Sequence, residues 1–478
     1  MTSSAEGREP RAESYILRVL LDTADSRPVH FAGIAGAGMS ALAELFARRG
    51  VRVTGCDANP LGVEDLEKLG VEIRKGHDPS HVRDARAVVV TSAMAKDHPE
   101  LVEARRLGIP VIRRAEALGE ATSGAGRELV GIAGTHGKST TTVMTAEALA
   151  AAGLDPTALV GARVSRWGGN LRPGTDRLYV AEADEYDRSF LAMSPTVAVV
   201  TNIEADHLDI YADLADIHAT FARFVAGART IVLCADDAGA AKLELPSTAE
   251  VIRYGIRSGD ARLRAVNPRV ENGGAAFTVE YDGEHLGSVQ LQLAGEHNIL
   301  NALAAIGSGL ALGAPFAGLA YGLAQVTGAQ RRFERLGECA GVTLVDDYAH
   351  HPTEIAATLA AARAAFPGRR IVVAFQPHLY SRTRDFAVEF ARALCAADAV
   401  YLTEIYAARE LPIPGVTASL IADAFGAERA RLAWRGERPA VADALVAGCR
   451  NGDVVITMGA GDITRTAGEL LARLQAAR

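Results

Sequence analysis

The chain has 478 residues, of which 49% are apolar and 23% charged, and a formal net charge of −8. That balance fits about three globular domains with real cores and argues against a partner bound through nucleic-acid phosphates. No apolar run reaches the ~18 residues of a membrane span. The N-terminal stretch MTSSAEGREPRAES is not patterned as a secretory signal. The five cysteines (Cys56, Cys234, Cys339, Cys395 and Cys449) are scattered, which predicts a reduced, cytoplasmic protein without a disulfide frame.

Residues 1–28 read as an extension holding one short apolar run, SYILRVLL, which predicts a helix at most. VHFAGIAGAGMS then runs strand, glycine turn and helix, with the helix expected over Ser40–Arg49. Gly36, Ala37, Gly38, Met39, Ser40 and Ala41 fit G-x-G-x-x-A, and Asp57 ends the next strand about twenty residues on. That spacing suits a ligand with a pyrophosphate and a ribose, either a nicotinamide dinucleotide or a UDP-sugar. Strands ARAVVVTSA and IPVIRR complete a first unit over 29–122, and ATSGAG reads as a linker.

The pattern restarts at ELVGIAGTHGKSTTT. Gly134, Thr135, His136, Gly137, Lys138, Ser139 and Thr140 join a strand to a helix, but Ile132 stands where the common nucleotide loop has its first glycine. The shortened loop still offers freed amides, a helix N-terminus, a lysine for outer phosphates and a hydroxyl for Mg²⁺. Acids crowd two later strand ends, Glu182 to Asp187 and Glu204 to Asp209, where a hard cation relieves their repulsion. Glu182 and His207 are the expected metal ligands. Alternation around NGG and DGEHLG turns predicts antiparallel hairpins between Ala261 and Leu293, before a helix at GEHNILNALAA. The central unit therefore spans 123–328.

A third unit, 329–478, has four apolar strands, VTLVDDYAHH, RRIVVAFQPH, DAVYLTEIYA and DVVITMGAGD, each polar at its carboxyl end. In parallel α/β sheets that edge binds ligands. The predicted class is thus α/β: a Rossmann-like domain for the pyrophosphate ligand, a P-loop ATPase-type domain with a small antiparallel insertion, and a second Rossmann-like domain.

In their order, VHFAGIAGAGMSALAE, GTHGKSTTT, GGNLRPG, AEADEYDRSFL, TNIEADHLDIY, GEHNILNALAA, RRFE, DDYAHHPTEIAAT, FQPHLYSRT, LPIPGV and MGAGDI resemble the Mur ligases over nearly the whole chain, in particular their alanine-adding branch. The resemblance implies ATP-dependent joining of L-alanine to the lactyl carboxylate of UDP-N-acetylmuramate through an acyl phosphate, in peptidoglycan precursor synthesis. It implies catalytic duty for Lys138, Glu182, His207 and His350. Ser139, Glu182 and His207 would hold Mg²⁺ or Mn²⁺. Residues 134–140, Asn298, Arg332 and Asp347 would bind ATP. Gly36 to Ser40 and Asp57 would contact the UDP part, and Tyr348, His350 and Arg382 would frame the amino acid. The resemblance implies no nucleic-acid partner and a monomer or dimer. Two departures stand out. No lysine lies between Lys138 and Lys242, where several sister ligases carry a carbamylated one, and Leu379 occupies a position often held by arginine. Tyr186 leans toward a tripeptide-recycling relative. From another class, an NAD-dependent oxidoreductase would use only the first loop.

Overall fold

The computed structural model describes residues 20–92, 94–271, 273–408 and 410–476. Most of the SYILRVLL stretch lies outside these residues.

Three sheets follow one another along the chain. The first is parallel, with β1 (Val29–Ala32), β2 (Val53–Asp57), β3 (Glu72–Lys75), β4 (Ala87–Val90) and β5 (Val111–Arg113) in the order β3-β2-β1-β4-β5. All residues of β1 and β4 are buried, as near-continuous apolar runs in doubly covered parallel sheets must be. Helix α1 spans Ala37–Arg48, three residues earlier than the sequence pattern suggested, so it opens directly on the glycine turn. A short helix (Glu64–Lys68) and two longer ones, α2 (Pro99–Arg106) and α3 (Arg114–Thr122), complete this part.

The second sheet has ten strands: β6 (Glu128–Ala133), β7 (Pro156–Val164), β8 (Gly169–Arg172), β9 (Thr175–Glu182), β10 (Val197–Val200), β11 (Thr230–Cys234), β12 (Glu250–Gly255), β13 (Leu263–Glu271), β14 (Gly274–Tyr281) and β15 (Glu284–Leu291). Their order is β15-β14-β13-β12-β11-β10-β6-β9-β7-β8, and β13 to β15 form the antiparallel hairpins expected from the turns. Helix α4 (Lys138–Ala151) leaves the end of β6 and is buried on nearly every side beneath α5 (Glu296–Ala311) and the helix Phe316–Ala324. Small residues permit this approach: a Cβ at Gly322 would stand 2.7 Å from the Ala148 Cα.

The third sheet takes the order β16-β17-β21-β18-β19-β20, from β16 (Glu334–Cys339), β17 (Val342–Asp347), β18 (Ile371–Phe375), β19 (Ala399–Thr403), β20 (Leu432–Gly436) and β21 (Val454–Met458). The four strands read from the sequence are its interior, and the edges β16 and β20 are additional. Helices α6 (Pro352–Ala365) and α7 (Tyr380–Asp385) carry the residues that meet the central sheet. No helix among the described residues is long and apolar enough to cross a membrane.

Candidate active site

The loop between β6 and α4 is held from behind by the end of β10. The His136 amide donates to Asn202 Oδ1 (2.7 Å), the Thr201 hydroxyl donates to the His136 carbonyl (2.7 Å), and the Glu204 amide donates to Thr135 Oγ1 (2.9 Å). Gly137 has φ +82°, and a Cβ there would stand 2.7 Å from Asn301 Oδ1, so conformation and space both demand glycine. The first amides of α4 have no intrahelical acceptor and make an anion site. Lys138 Nζ donates to the Gly134 carbonyl (2.6 Å) and to both Glu185 oxygens (3.0 and 2.8 Å). Burial opposes both charges, but the attraction between them prevails: the lysine pKa is raised and the Glu185 pKa lowered.

Two cavities flank this loop and share His136, Gly137, Arg332 and Glu354 in their walls. The smaller, ≈ 240 Å³, is lined by Thr140, Tyr254, Leu293, Asn298 and Asp347 among others. The larger, ≈ 760 Å³, reaches all three sheets: it takes in residues 36–40, Thr135, Lys138, Ser139, Glu182, His207, Tyr348 and His350. Most of the residues picked from the sequence therefore meet around one loop.

Three do not. Asp57 accepts from the amides of Ala35 (3.1 Å) and Asn59 (2.9 Å), so it braces the glycine turn from beneath. Spacing suggested a ligand contact; the carboxylate lines neither cavity, though two amides leave it further lone pairs. Arg382, expected to frame the amino acid, donates through Nη2 to Asp206 Oδ1 at 2.6 Å and is 5% exposed. Leu379 is buried at φ +72° and lines neither cavity.

Glu182 Oε1 and His207 Nδ1 are buried without a hydrogen-bond partner. An oxygen and an imidazole nitrogen left in this state fit a cation that completes its shell with phosphate oxygens and water. Ser139 Oγ accepts from Arg332 Nη2 at 3.2 Å, which brings the third sheet's arginine onto the loop. Asp347 accepts from the Phe333 and Ala349 amides, both at 2.7 Å, and burial pushes its pKa up to about 6.

Sequence reasoning missed the charges that cross between units. His136 lies between Glu354 (Nδ1 to Oε1, 3.1 Å) and Glu204 (Nε2 to Oε2, 3.4 Å). Although burial opposes its charge, these two carboxylates raise its pKa to about 9. Thr353 Oγ1 also donates to Glu204, at 2.7 Å. Arg114, at the start of α3, stands over the first glycine loop: a Cβ at Gly38 would lie 2.8 Å from its Nη1. An arginine outside any motif gives no local signal.

Comparison with known proteins places this geometry. Three family profiles match in succession: "Mur ligase family, catalytic domain" over residues 28–125, "Mur ligase middle domain" over 132–309 and "Mur ligase, glutamate ligase domain" over 331–461. A UDP-N-acetylmuramate–L-alanine ligase of Acidothermus cellulolyticus is 48% identical over 90% of this chain and 91% of its own. One of Rubrobacter xylanophilus is 46% identical over 93% of this chain and 100% of its own. Among solved structures, the UDP-N-acetylmuramate–alanine ligase of Thermotoga maritima superposes with a TM-score of 0.80 at 28% identity, covering 94% of this chain and 100% of that one. The murein peptide ligase of Psychrobacter arcticus reaches 0.70 at 25% identity, covering 94% and 99%.

Proposed function

We propose that this chain, which belongs to the Mur ligase family, joins L-alanine to the lactyl carboxylate of UDP-N-acetylmuramate with conversion of ATP to ADP and phosphate, a step of peptidoglycan precursor synthesis. One observation carries the reading: a phosphate loop divides a small cavity from a wide cleft bounded by all three sheets. A nucleotide whose base occupies the small side presents its terminal phosphate to the wide one. Hydride transfer has no use for that arrangement.

A carboxylate is a poor acyl donor, so the reaction proceeds in two displacements. A carboxylate oxygen attacks the γ-phosphorus, the bond to the bridging oxygen breaks, and ADP leaves. The alanine nitrogen then attacks the acyl carbon and expels phosphate, its surplus proton passing to the departing phosphate or to water. Both steps bring anions together, so positioning and charge neutralisation dominate the catalysis. Lys138 turns from Glu185 to the outer phosphates, with the loop amides beside it. Asn298 borders the base, and Arg332 and Asp347 close over the nucleotide from the third sheet. Residues 36–40, with Arg114 above them, hold the UDP pyrophosphate. Tyr348 and His350 frame the alanine. Ser139, Glu182 and His207 would hold Mg²⁺ or Mn²⁺, which when bound would supply positive charge to offset the repulsion between the reacting anions.

Each sheet falls within one of the segments 29–122, 123–328 and 329–478, which supports those domain boundaries. We place the enzyme in the cytoplasm, where its nucleotide substrates are made; free cysteines suit that compartment. The test is ADP release from UDP-N-acetylmuramate, ATP, Mg²⁺ and L-alanine, with each omitted in turn. Release that persists without L-alanine, or needs a tripeptide instead, contradicts the assignment.

A further inference from the structure

The first sheet has a second chemical centre that lines neither cavity of the cleft. Side chains alternate along its strands, so Val29 and Phe31 face the α1 side, while His30 and Ala32 face α2 together with Thr54 and Cys56 of the neighbouring strand. On that face Glu100, at the first turn of α2, is fully buried. Around its two oxygens gather Cys56 Sγ (3.0 Å to Oε1), His81 Nδ1 (3.0 Å to Oε1) and His77 Nδ1 (3.2 Å to Oε2). His30 Nε2 lies 3.4 Å from Cys56 Sγ. His98 Nδ1 stands 3.9 Å from Glu100 Oε2, buried and without a hydrogen-bond partner. Four of the twelve histidines thus surround one buried carboxylate and one thiol.

We propose that His30, Cys56, His81 and Glu100 form a tetrahedral Zn²⁺ site. One donor atom from each lies within 4.8 Å of all the others. Zinc bonds of about 2.0–2.3 Å put neighbouring ligands of a tetrahedron roughly 3.3–3.8 Å apart, so small adjustments of these side chains admit the ion. Two imidazoles, a thiolate and a carboxylate form a borderline-soft set that suits zinc over Mg²⁺ or Ca²⁺. His30 is prepared for the role. Its Nδ1 pairs with Thr54 Oγ1 at 3.0 Å, leaving Nε2 to face the thiol. Metal uptake releases the Cys56 proton to solvent and replaces the S–H···O bond with bonds to zinc. The site ties β1 and β2 to the α2 end of the domain. It also adjoins the UDP loop, because the Cys56 carbonyl accepts from the amides of Gly33 (2.8 Å) and Ile34 (3.0 Å). The inference stands apart from the ligase assignment.

The test uses the full chain, reduced, stripped with a chelator and held in excess Mg²⁺ to occupy oxygen-rich sites, then titrated with Co²⁺. The expected result is one equivalent bound with a tetrahedral ligand-field spectrum and a thiolate-to-cobalt charge-transfer band, both erased by Zn²⁺. Cys56→Ala removes the charge-transfer band, and Cys234→Ala, altering a thiol of the ATP-side cavity, leaves it. Should Cys56→Ala fail to fold, His81→Ala, at the rim of the cluster, serves instead. It weakens cobalt binding by more than the ~10–100-fold that follows loss of an outer-shell partner. Absence of saturable uptake, a charge-transfer band surviving in Cys56→Ala, or unchanged affinity in His81→Ala overturns the proposal.

Discussion

Arg382 and Asp206, 176 residues apart in the chain, are joined across the boundary of the second and third sheets by a 2.6 Å contact in which both side chains are buried. Burial alone would raise the Asp206 pKa, but Arg382 and His207 hold it well below the usual carboxylate range. A buried ion pair whose halves belong to different units exists only while those units are docked. Its loss is therefore a loss of closure before it is a loss of fold.

Arg382→Met leaves the buried Asp206 carboxylate without its closest cation, a penalty on the order of 3–5 kcal/mol that opening of the third unit relieves. The variant is expected to keep its secondary structure, to show a larger radius by small-angle scattering with nucleotide bound, and to lose at least about 10²-fold in kcat. Paired replacement of Arg382 and Asp206 by apolar residues should recover part of that loss. A double variant no better than the single one argues for direct contact between Arg382 and the amino acid.

Arg114→Met removes the cation above Gly38. Hydrogen bonds to charged groups are worth about 1.5–3 kcal/mol, so the KM for the UDP substrate should rise about 10–100-fold with little change in the KM for ATP. Steady-state kinetics with each substrate varied in turn checks both.

His136 supplies a pH dependence of definite sign. Its pKa is raised from 6.5 to about 9, so its contribution to the docked state is fully present below pH 6.5 and disappears as the pH rises through about 9. The shift corresponds to on the order of 3 kcal/mol. Thermal melting of the parent and of His136→Gln should differ most near pH 6 and converge toward pH 9.5. A difference that widens with pH means that the ring is neutral in the folded protein.

Lys138→Ala should lower ADP formation by about 10²–10³-fold or more, the scale of losing one preorganised group at a site of developing charge. Binding of the UDP substrate, measured calorimetrically, should survive, because that ligand rests on residues 36–40 and Arg114. Loss of both would mean that the two ligands share one subsite.

What the sequence made readable was local. Gly134 to Ser139 and Gly36 to Ala41 each declare a strand, a turn and a helix within a dozen residues, because glycine and helix N-termini have short-range requirements. The buried strands β6, β10, β17 and β21 declare themselves as apolar runs. Edge strands β16 and β20 do not, since one polar, half-exposed strand looks like loop. The pairs His136–Glu354 and Asp206–Arg382 had no signal at all: docking of two units joins residues 218 and 176 positions apart, which no period encodes. Asp57 is legible by spacing but not by contact. Its carboxylate accepts from the amides of Ala35, across the glycine turn, and of Asn59, two residues on, a use that the spacing does not announce.

The central claim is that the cleft around Lys138 turns an inert carboxylate into a phosphorylated acyl donor. Substrate carrying heavy oxygen in its lactyl carboxylate tests this most directly, with the released inorganic phosphate read by mass spectrometry after a single turnover. One labelled oxygen per phosphate is the predicted result. Phosphate that carries no label, alongside normal amide formation, would contradict the account.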